Sequence, residues 1–267
     1  MPPNPGRNFP SEFGFDQPYW TINREERNYA ALLYHVLLCN DNLERFLADI
    51  DYKGVVIPDQ VAIYVEYAFL RDMWNDEALG NEQKRQAITH LLGTRDVRAL
   101  TEASTLEWNT HFGATPRPST KHIQNPGRWS LDKFDQHIAN DQEFRETCKF
   151  KWSFNIKPDL VIQTASDQAV VIEAKYESGE SFYPTSETAR RVWERRHLDP
   201  VGQTHLQQFM FYDLLGIDST HLYVVKNPHA MPSHAGARTL TWGQAFGGLD
   251  LTGLPPFAAA WLKQLAD

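Results

Sequence analysis

Two acidic residues and one lysine stand at the ends of two consecutive apolar segments of this 267-residue chain. Asp159 directly precedes the apolar segment 160–162, and Glu173 and Lys175 follow the apolar segment 170–172. Because alternate side chains of a strand share a face, Glu173 and Lys175 are expected side by side, separated by roughly 6–7 Å of backbone rise. If the two segments pair as a hairpin, Asp159 meets Glu173, and facing carboxylates repel each other unless a cation lies between them. The pattern therefore predicts a site for a hard metal ion.

Such a site is suited to the hydrolysis of a phosphate ester. Mg²⁺ takes oxygen ligands from one or two carboxylates and keeps several waters, which leaves room for a phosphate oxygen and a nucleophilic water. Lys175 is expected to orient that water or to stabilise the charge on the phosphate. The alternative is an exposed strand end with an ordinary pair of opposite charges. Two other acid-x-Lys tripeptides, at 51–53 and 82–84, lie in a predicted loop and a predicted helix, without an apolar strand before them.

A glutamine and a tyrosine downstream carry the second signal. Gln208 and Tyr212 lie four residues apart in a predicted helix over 201–215, so they share one face of that helix. An amide and a phenol placed in this way are able to hydrogen-bond a substrate or to steady the lysine. This pair is the expected support of the predicted site.

Together these residues resemble the PD-(D/E)XK nuclease superfamily and, within it, the RecB-like group that has a Gln-x-x-x-Tyr helix. The resemblance covers roughly residues 150–227 and one upstream helix. It implies that Asp159 and Glu173 are metal ligands, that the backbone carbonyl of Ala174 is a further ligand, and that Lys175 is the catalytic lysine. The supporting active-site residues implied by the resemblance are Gln208 and Tyr212.

The resemblance also implies an activity and a cofactor. It suggests hydrolysis of DNA phosphodiester bonds with Mg²⁺ or Mn²⁺, in DNA repair, restriction or defence, and it leaves RNA open as a substrate. Some RecB-like relatives hold an iron–sulfur cluster with four cysteines, but this chain has two cysteines, so no cluster is expected. The rival hypothesis is a non-catalytic or partner-activated nucleic-acid-binding subunit that keeps the nuclease fold as a scaffold.

The family often adds an acidic residue from its first core helix. Glu26 is the candidate here, because it shares a helical face with the apolar residues at 30, 33 and 37, and Glu25 is nearly as good. If the predicted helix over 131–147 is the core helix instead, Glu143 or Glu146 takes this role. In that case the N-terminal region is a separate module.

Four arginines lie between the lysine and the glutamine helix. Arg190, Arg191, Arg195 and Arg196 are candidates for nucleic-acid binding, since they could grip phosphates beside the metal site. The alternative is a solvated helix on which acids one turn away, such as Glu187, pair with them.

The predicted fold class is α/β, with a restriction-endonuclease-like core ordered as helix, three strands, helix and strand, and with a small mixed sheet flanked by helices. Strands are predicted at 149–156, 159–163, 169–176 and 221–226. Helices are predicted at 23–39, 60–74, 82–92, 95–108, 131–147, 185–197, 201–215 and 257–265. The predicted organisation is a flexible lead-in at 1–20, a first core helix region at 21–48, a helical insertion at 49–128 and the nuclease core with a C-terminal helix at 129–267.

Charge and composition restrict the partners. The formal net charge is −8, which argues against coating nucleic acid or membrane by bulk electrostatics, so a polyanion must meet a local basic patch. The longest apolar runs are far shorter than the roughly 20 residues that a membrane span needs. The sequence is read as cytoplasmic and without a membrane partner, with DNA as the main partner. A homodimer, or a protein partner bound through the helical insertion, is left open.

Overall fold

A computed structural model of the chain describes residues 25–75, 79–114 and 118–266. The predicted lead-in at 1–20 lies outside the described residues. The strands are β1 (Ala62–Val65), β2 (Leu160–Ala165), β3 (Gln168–Ala174), β4 (Phe182–Tyr183), β5 (Val201–Gly202), β6 (Asp218–Val225) and β7 (Arg238–Thr241). The helices before β2 are α1 (Glu26–Leu37), α2 (Asn42–Asp49), α3 (Phe69–Asn75), α4 (Asn81–Leu92), α5 (Arg95–Ala99), α6 (Thr105–His111), α7 (Leu131–Phe134) and α8 (Asp141–Ser153). The later helices are α9 (Glu187–Arg195), α10 (Gln203–Gln208), α11 (Trp242–Gly247) and α12 (Pro256–Ala266), and a π-helical turn, Phe209–Leu214, continues α10.

A five-stranded mixed sheet runs through the molecule in the order β1-β2-β3-β6-β7. The first three strands form an antiparallel meander, and β6 and β7 join it in parallel. The fold is therefore mixed α/β, as predicted. Among the described residues, no helix is both long and apolar enough to cross a membrane.

Helices cover both faces of this sheet, because the strand residues alternate between two apolar cores. Val161, Ala169 and Val171 contribute to one core, which α8, α10 and the helices α3 to α6 complete. Their neighbours in the strands, such as Ile162 and Ile172, contribute to the other core with α1, α2 and α11. The segment 49–128 thus shares a core with the rest of the chain.

The prediction that the segment 49–128 is wholly helical is wrong. Its residues Ala62–Val65 form β1, which pairs with β2 in the register Ala62↔Gln163 to Val65↔Leu160. The helix predicted over 60–74 is present only in its second half, as α3. Short apolar runs fit a helix and a strand equally well, and here a distant partner strand decides between them.

The strand predicted over 149–156 is also wrong, because residues up to Ser153 belong to α8. Polar and apolar residues alternate there, but both lysines of the segment contact the rest of the protein and do not mark a solvent face of a strand. The Lys149 ammonium lies 4.0 Å from the centre of the Phe209 ring, and Lys151 Nζ donates a hydrogen bond to the carbonyl oxygen of Gly127 at 2.9 Å. The predicted helix over 131–147 is divided into α7 and α8, and β7 was not predicted.

Candidate active site

The hairpin predicted from the two apolar segments is present. Strands β2 and β3 are antiparallel, with Leu160 opposite Ile172, and this register carries Asp159 opposite Glu173. The Asp159 carboxylate accepts a hydrogen bond from the backbone N–H of Ala174 at 2.8 Å, which ties the start of one strand to the end of the other. The two acids therefore meet where β2 begins and β3 ends.

Lys175 completes this cluster. Its ammonium lies 2.6 Å from Oε1 of Glu173 and 3.5 Å from Oε1 of Glu26. The backbone holds the lysine in place, because its N–H donates to the carbonyl oxygen of Val224 and its own carbonyl accepts from the indole N–H of Trp242 at 3.0 Å. Both side chains of the Glu173–Lys175 pair are almost fully buried, at 1% and 8% exposed. The pair is not the exposed strand end that the alternative interpretation requires.

Burial and like charge perturb both acids of the cluster. Burial raises the pKa of Asp159 to about 6, although the Ala174 N–H and the Lys175 ammonium oppose the shift. Burial together with the nearby Asp159 carboxylate raises the pKa of Glu173 to about 8, against the lowering effect of Lys175. Burial disfavours the charged form of Lys175, but Glu173, Glu26 and Asp159 together outweigh it and raise the pKa of the ammonium. The result is two carboxyl groups with raised pKa values beside a lysine that stays protonated.

The glutamine that reaches Glu173 is Gln207, not the predicted Gln208. Gln207 is 1% exposed, and its amide donates to Oε2 of Glu173 at 2.5 Å. Gln208 is half-buried and makes no such hydrogen bond to the acids within the described residues, and Tyr212 is 61% exposed. The structure therefore does not place the predicted Gln208 and Tyr212 pair against the acids, and the residue four positions after Gln207 is Phe211.

A signal in the sequence could have identified Gln207. It lies three, four and seven residues before Met210, Phe211 and Leu214, all of which are buried, so it stands in the middle of the apolar stripe of its helix. Gln208 is rotated by one residue toward the edge of that stripe. A buried amide in an apolar stripe needs a polar partner, and Glu173 is that partner.

Of the four candidate helix acids, Glu26 is placed at the cluster. It lies in the first turn of α1, where its other carboxylate oxygen accepts from the Ser178 hydroxyl at 2.7 Å. Helix α1 is fixed there because the Tyr29 ring stacks on the Tyr176 ring, with centroids 4.7 Å apart. The alternative Glu146 pairs instead with Lys149 on α8, and Glu143 lies at the start of that helix; Glu25 precedes α1 and is exposed.

The predicted phosphate-binding arginines are largely engaged within the protein. Arg195 and Arg196 both pair with Asp135, and Arg196 also bonds Asp141 at 2.6 Å and is only 13% exposed. Arg191 pairs with Glu187 one turn away, as the alternative interpretation expected. Arg190 is exposed and donates to the carbonyl oxygen of Thr185. Arg195 and Arg196 thus hold the end of α9 against its neighbours, and their assignment as phosphate ligands stays a prediction.

Two tyrosines that the sequence did not single out also lie near the acids. Tyr223 stands opposite Glu173 in the parallel register of β3 and β6, so the two side chains share a face of the sheet. Burial, with the charge of Glu180, raises the pKa of the Tyr223 phenol to about 12. Burial, with the charge of Glu173, also raises the pKa of Tyr183. Both phenols therefore stay protonated hydrogen-bond donors beside the cluster.

The donor set of the cluster fits a hard divalent cation. Within the described residues, no group of three or more His, Cys, Asp or Glu side chains is arranged to hold a metal ion. Mg²⁺ needs only one or two carboxylates, with water and carbonyl oxygens for its other positions. Oε1 of Glu173 is buried and lies 2.6 Å from the Lys175 ammonium, so this oxygen already faces a cation in the structure.

Comparison of the chain with protein-family models, with curated proteins and with solved structures found no match. The candidate site therefore rests on its own geometry. That geometry joins two acids from paired strands, a lysine, a glutamine from α10 and an acid from α1, which are Asp159, Glu173, Lys175, Gln207 and Glu26.

Proposed function

We propose that this protein is a metal-dependent nuclease that hydrolyses DNA phosphodiester bonds, with the core of the RecB-like group of PD-(D/E)XK nucleases. The observation that carries the proposal is the buried cluster in which Asp159 faces Glu173 and Lys175 lies 2.6 Å from Glu173. A fold gains no stability from placing two carboxylates with raised pKa values together, so a role in binding a cation is the better explanation.

The order of elements supports the same proposal. Helix α1 packs against the sheet, the meander β1-β2-β3 follows, and then come α10 and the parallel strand β6. Helix, three strands, helix and strand thus follow in the expected order, but the first strand is β1 instead of the predicted 149–156, the helices α3 to α8 lie between β1 and β2, and α9 with two short strands lies between β3 and α10. Asp159 directly precedes β2 and Glu173 lies in β3, so the two strands of the hairpin each contribute one acid, as the resemblance implies.

Asp159 and Glu173 would hold Mg²⁺ or Mn²⁺, with the Ala174 carbonyl and Glu26 as further candidates. The bound ion supplies Lewis-acid chemistry to the phosphate and lowers the pKa of a water. Gln207 keeps the Glu173 carboxylate in one orientation by binding Oε2, while Oε1 faces the Lys175 ammonium.

Lys175 acts as a positive charge and not as a base in this proposal. Its raised pKa keeps the ammonium protonated at neutral pH, so it has donors to offer and no lone pair. An ammonium beside the reacting phosphate stabilises the negative charge that develops there, and it positions a water through a hydrogen bond.

The experiment is cleavage of linear and covalently closed circular DNA, single- and double-stranded, with Mg²⁺, Mn²⁺ or EDTA. Asp159→Ala, Glu173→Ala and Lys175→Ala are each expected to abolish metal-dependent cleavage. Lys53→Ala is the matched control, because Lys53 belongs to another acid-x-Lys tripeptide and is 78% exposed. Cleavage that survives in any of the three variants contradicts the assignment.

The same experiment separates the rival function. Loss of linear substrates alone identifies an end-directed nuclease, and nicking of circles identifies an endonuclease. A folded wild-type protein that is stabilised by Mg²⁺ but cleaves none of these substrates is instead a partner-activated or non-catalytic subunit.

A further inference from the structure

Four aromatic rings form a cluster near the candidate active site, in which Tyr67 stacks on Phe69 and Phe211 and is tilted against Tyr64. Tyr67 is at its centre, with ring centroids 5.3 Å from Tyr64, 5.8 Å from Phe69 and 5.6 Å from Phe211. The Tyr67 and Phe69 planes are nearly parallel, at 7°. We call these four residues the aromatic ladder.

The backbone builds the ladder against Asp159. Strict alternation along β1 would place Tyr64 and Tyr67 on opposite faces of the sheet. Glu66, between them, adopts a left-handed φ of 53°, which resets the alternation and brings the two rings together. The N–H groups of Glu66 and Tyr67 donate to the carbonyl oxygens of Asp159 and Pro158, both at 3.0 Å. The backbone next to Tyr67 is therefore paired with the backbone of Asp159, the acid that we propose as a metal ligand.

The outer rungs of the ladder face solvent. Tyr64 is 40% exposed and Phe69 is 41% exposed, whereas Phe211 is buried beneath them. A groove of about 270 Å³ lies along the rings, and the amide side chain of Gln163 lines it as well. A flat aromatic surface with an amide at its side is able to stack a nucleobase and to bond its edge.

Basic side chains stand at both ends of the ladder. At the Asp159 end, Arg27 and Lys157 both pair with Glu66, at 3.3 and 3.1 Å, and the Arg27 side chain is 73% exposed. At the far end of α3, a second groove of about 410 Å³ is lined by Arg71, Lys84 and other residues, and none of its described lining residues is acidic. The chain as a whole is acidic, with a net charge of −8, so these two basic ends are local features.

We infer that the aromatic ladder stacks the unpaired bases of a single-stranded nucleic acid, whose phosphates contact the basic ends and whose backbone enters the site at Asp159. Stacked rings beside cationic side chains are the usual means of binding single strands. The bases of an intact duplex are stacked on each other and cannot use such rings. This inference rests on the proposed function, because it names the substrate class of that same site, and it favours single strands over duplex.

The experiment is fluorescence anisotropy with a fluorescein-labelled DNA single strand of about 20 nucleotides and with the matching duplex, both in EDTA so that no cleavage occurs. We expect the single strand to bind more tightly than the duplex. Tyr64→Ala and Phe69→Ala should each weaken single-strand binding roughly 5- to 150-fold, the range for the loss of one stacked base. Tyr64→Phe, which keeps the ring, should bind like the wild type.

Two further variants serve as controls for misfolding and for the loss of an aromatic residue elsewhere on the surface. Phe69→Leu keeps apolar bulk and removes only the aromatic ring, so weaker binding by this variant cannot come from misfolding of an emptied site. Phe257→Ala removes an aromatic residue that is 78% exposed on α12, and it should leave binding unchanged.

Single-strand binding that is unchanged in Tyr64→Ala and Phe69→Ala overturns the inference, as does a preference for the duplex. Weaker self-association of these variants in sedimentation, with unchanged DNA binding, shows instead that a second copy covers the ladder. Because the assay is run without metal, ladder-dependent binding by a protein that never cleaves DNA would refute the proposed function while leaving the inference intact.

Discussion

Replacement of Glu173 by glutamine should remove a loss of stability that the wild-type protein undergoes as the pH rises. The pKa of Glu173 is raised from 4.5 to about 8, so the folded protein holds a proton that the unfolded chain releases. Stability is therefore lost as the pH rises from about 4.5 to about 8, and the loss is complete above the folded-state pKa. Glutamine does not titrate and is free of this cost.

The magnitude follows from the two pKa values. Between about pH 5.5 and pH 8, the titration of Glu173 should lower the free energy of unfolding of the wild type by about 3 kcal/mol. The side chain is 1% exposed, so solvent does not screen this effect. The ion pair with Lys175 forms only as Glu173 loses its proton, so its effect is already contained in the pKa of about 8. Effects that do not depend on pH, such as the packing of an amide in place of a carboxyl group, cancel from the comparison.

Urea unfolding in EDTA at the two pH values measures this difference. The advantage of Glu173→Gln over the wild type should grow by about 3 kcal/mol from pH 5.5 to pH 8. Glu82→Gln, at an exposed position, controls for the removal of a carboxylate as such. A difference between Glu173→Gln and wild type that is the same at both pH values would refute the reasoning.

Two other predictions concern residues that the structure reassigns. Gln207→Ala should lower the cleavage rate about tenfold or more and shift the pH–rate profile to higher pH. The reason is that the hydrogen bond lost in this variant both orients Glu173 and lowers the pKa of Glu173. Gln208→Ala is the matched control and should behave like the wild type. Equal rates for the two variants would refute the reassignment. Arg196→Ala should lower the free energy of unfolding by about 2–3 kcal/mol in urea, because it leaves Asp135 short of a partner, while Arg191→Ala should cost less than about 1 kcal/mol. Weaker single-strand binding by Arg196→Ala without loss of stability would instead support its assignment as a phosphate ligand.

The hairpin that holds the site could be predicted because its determinants are local. Asp159 and Glu173 stand at the ends of two neighbouring apolar segments, and a short turn between these segments makes the pairing almost unavoidable. The alternation of β3, with Val171 and Glu173 on one face, followed from the period of a strand.

The elements that could not be predicted depend on distant partners. Strand β1 forms because β2 offers it an edge, although its four residues also fit a helix. The partner of Arg195 is Asp135, 60 positions earlier in the chain, so only the folded structure brings the two together. The error of one residue at Gln207 and Gln208 has a different cause, because a rotation of one residue on a helix is decided by the packing of the whole stripe.

The most direct test of the central claim is metal-dependent cleavage by Glu173→Gln at pH 8, measured on the same preparation as its stability. We predict a protein that still unfolds cooperatively in urea and whose Mg²⁺- or Mn²⁺-dependent cleavage of single-stranded DNA has fallen by at least about 100-fold. Loss of activity in a protein that keeps a cooperative unfolding transition cannot be attributed to misfolding. Cleavage at the wild-type rate by this variant would contradict the claim that Glu173 holds a catalytic metal ion.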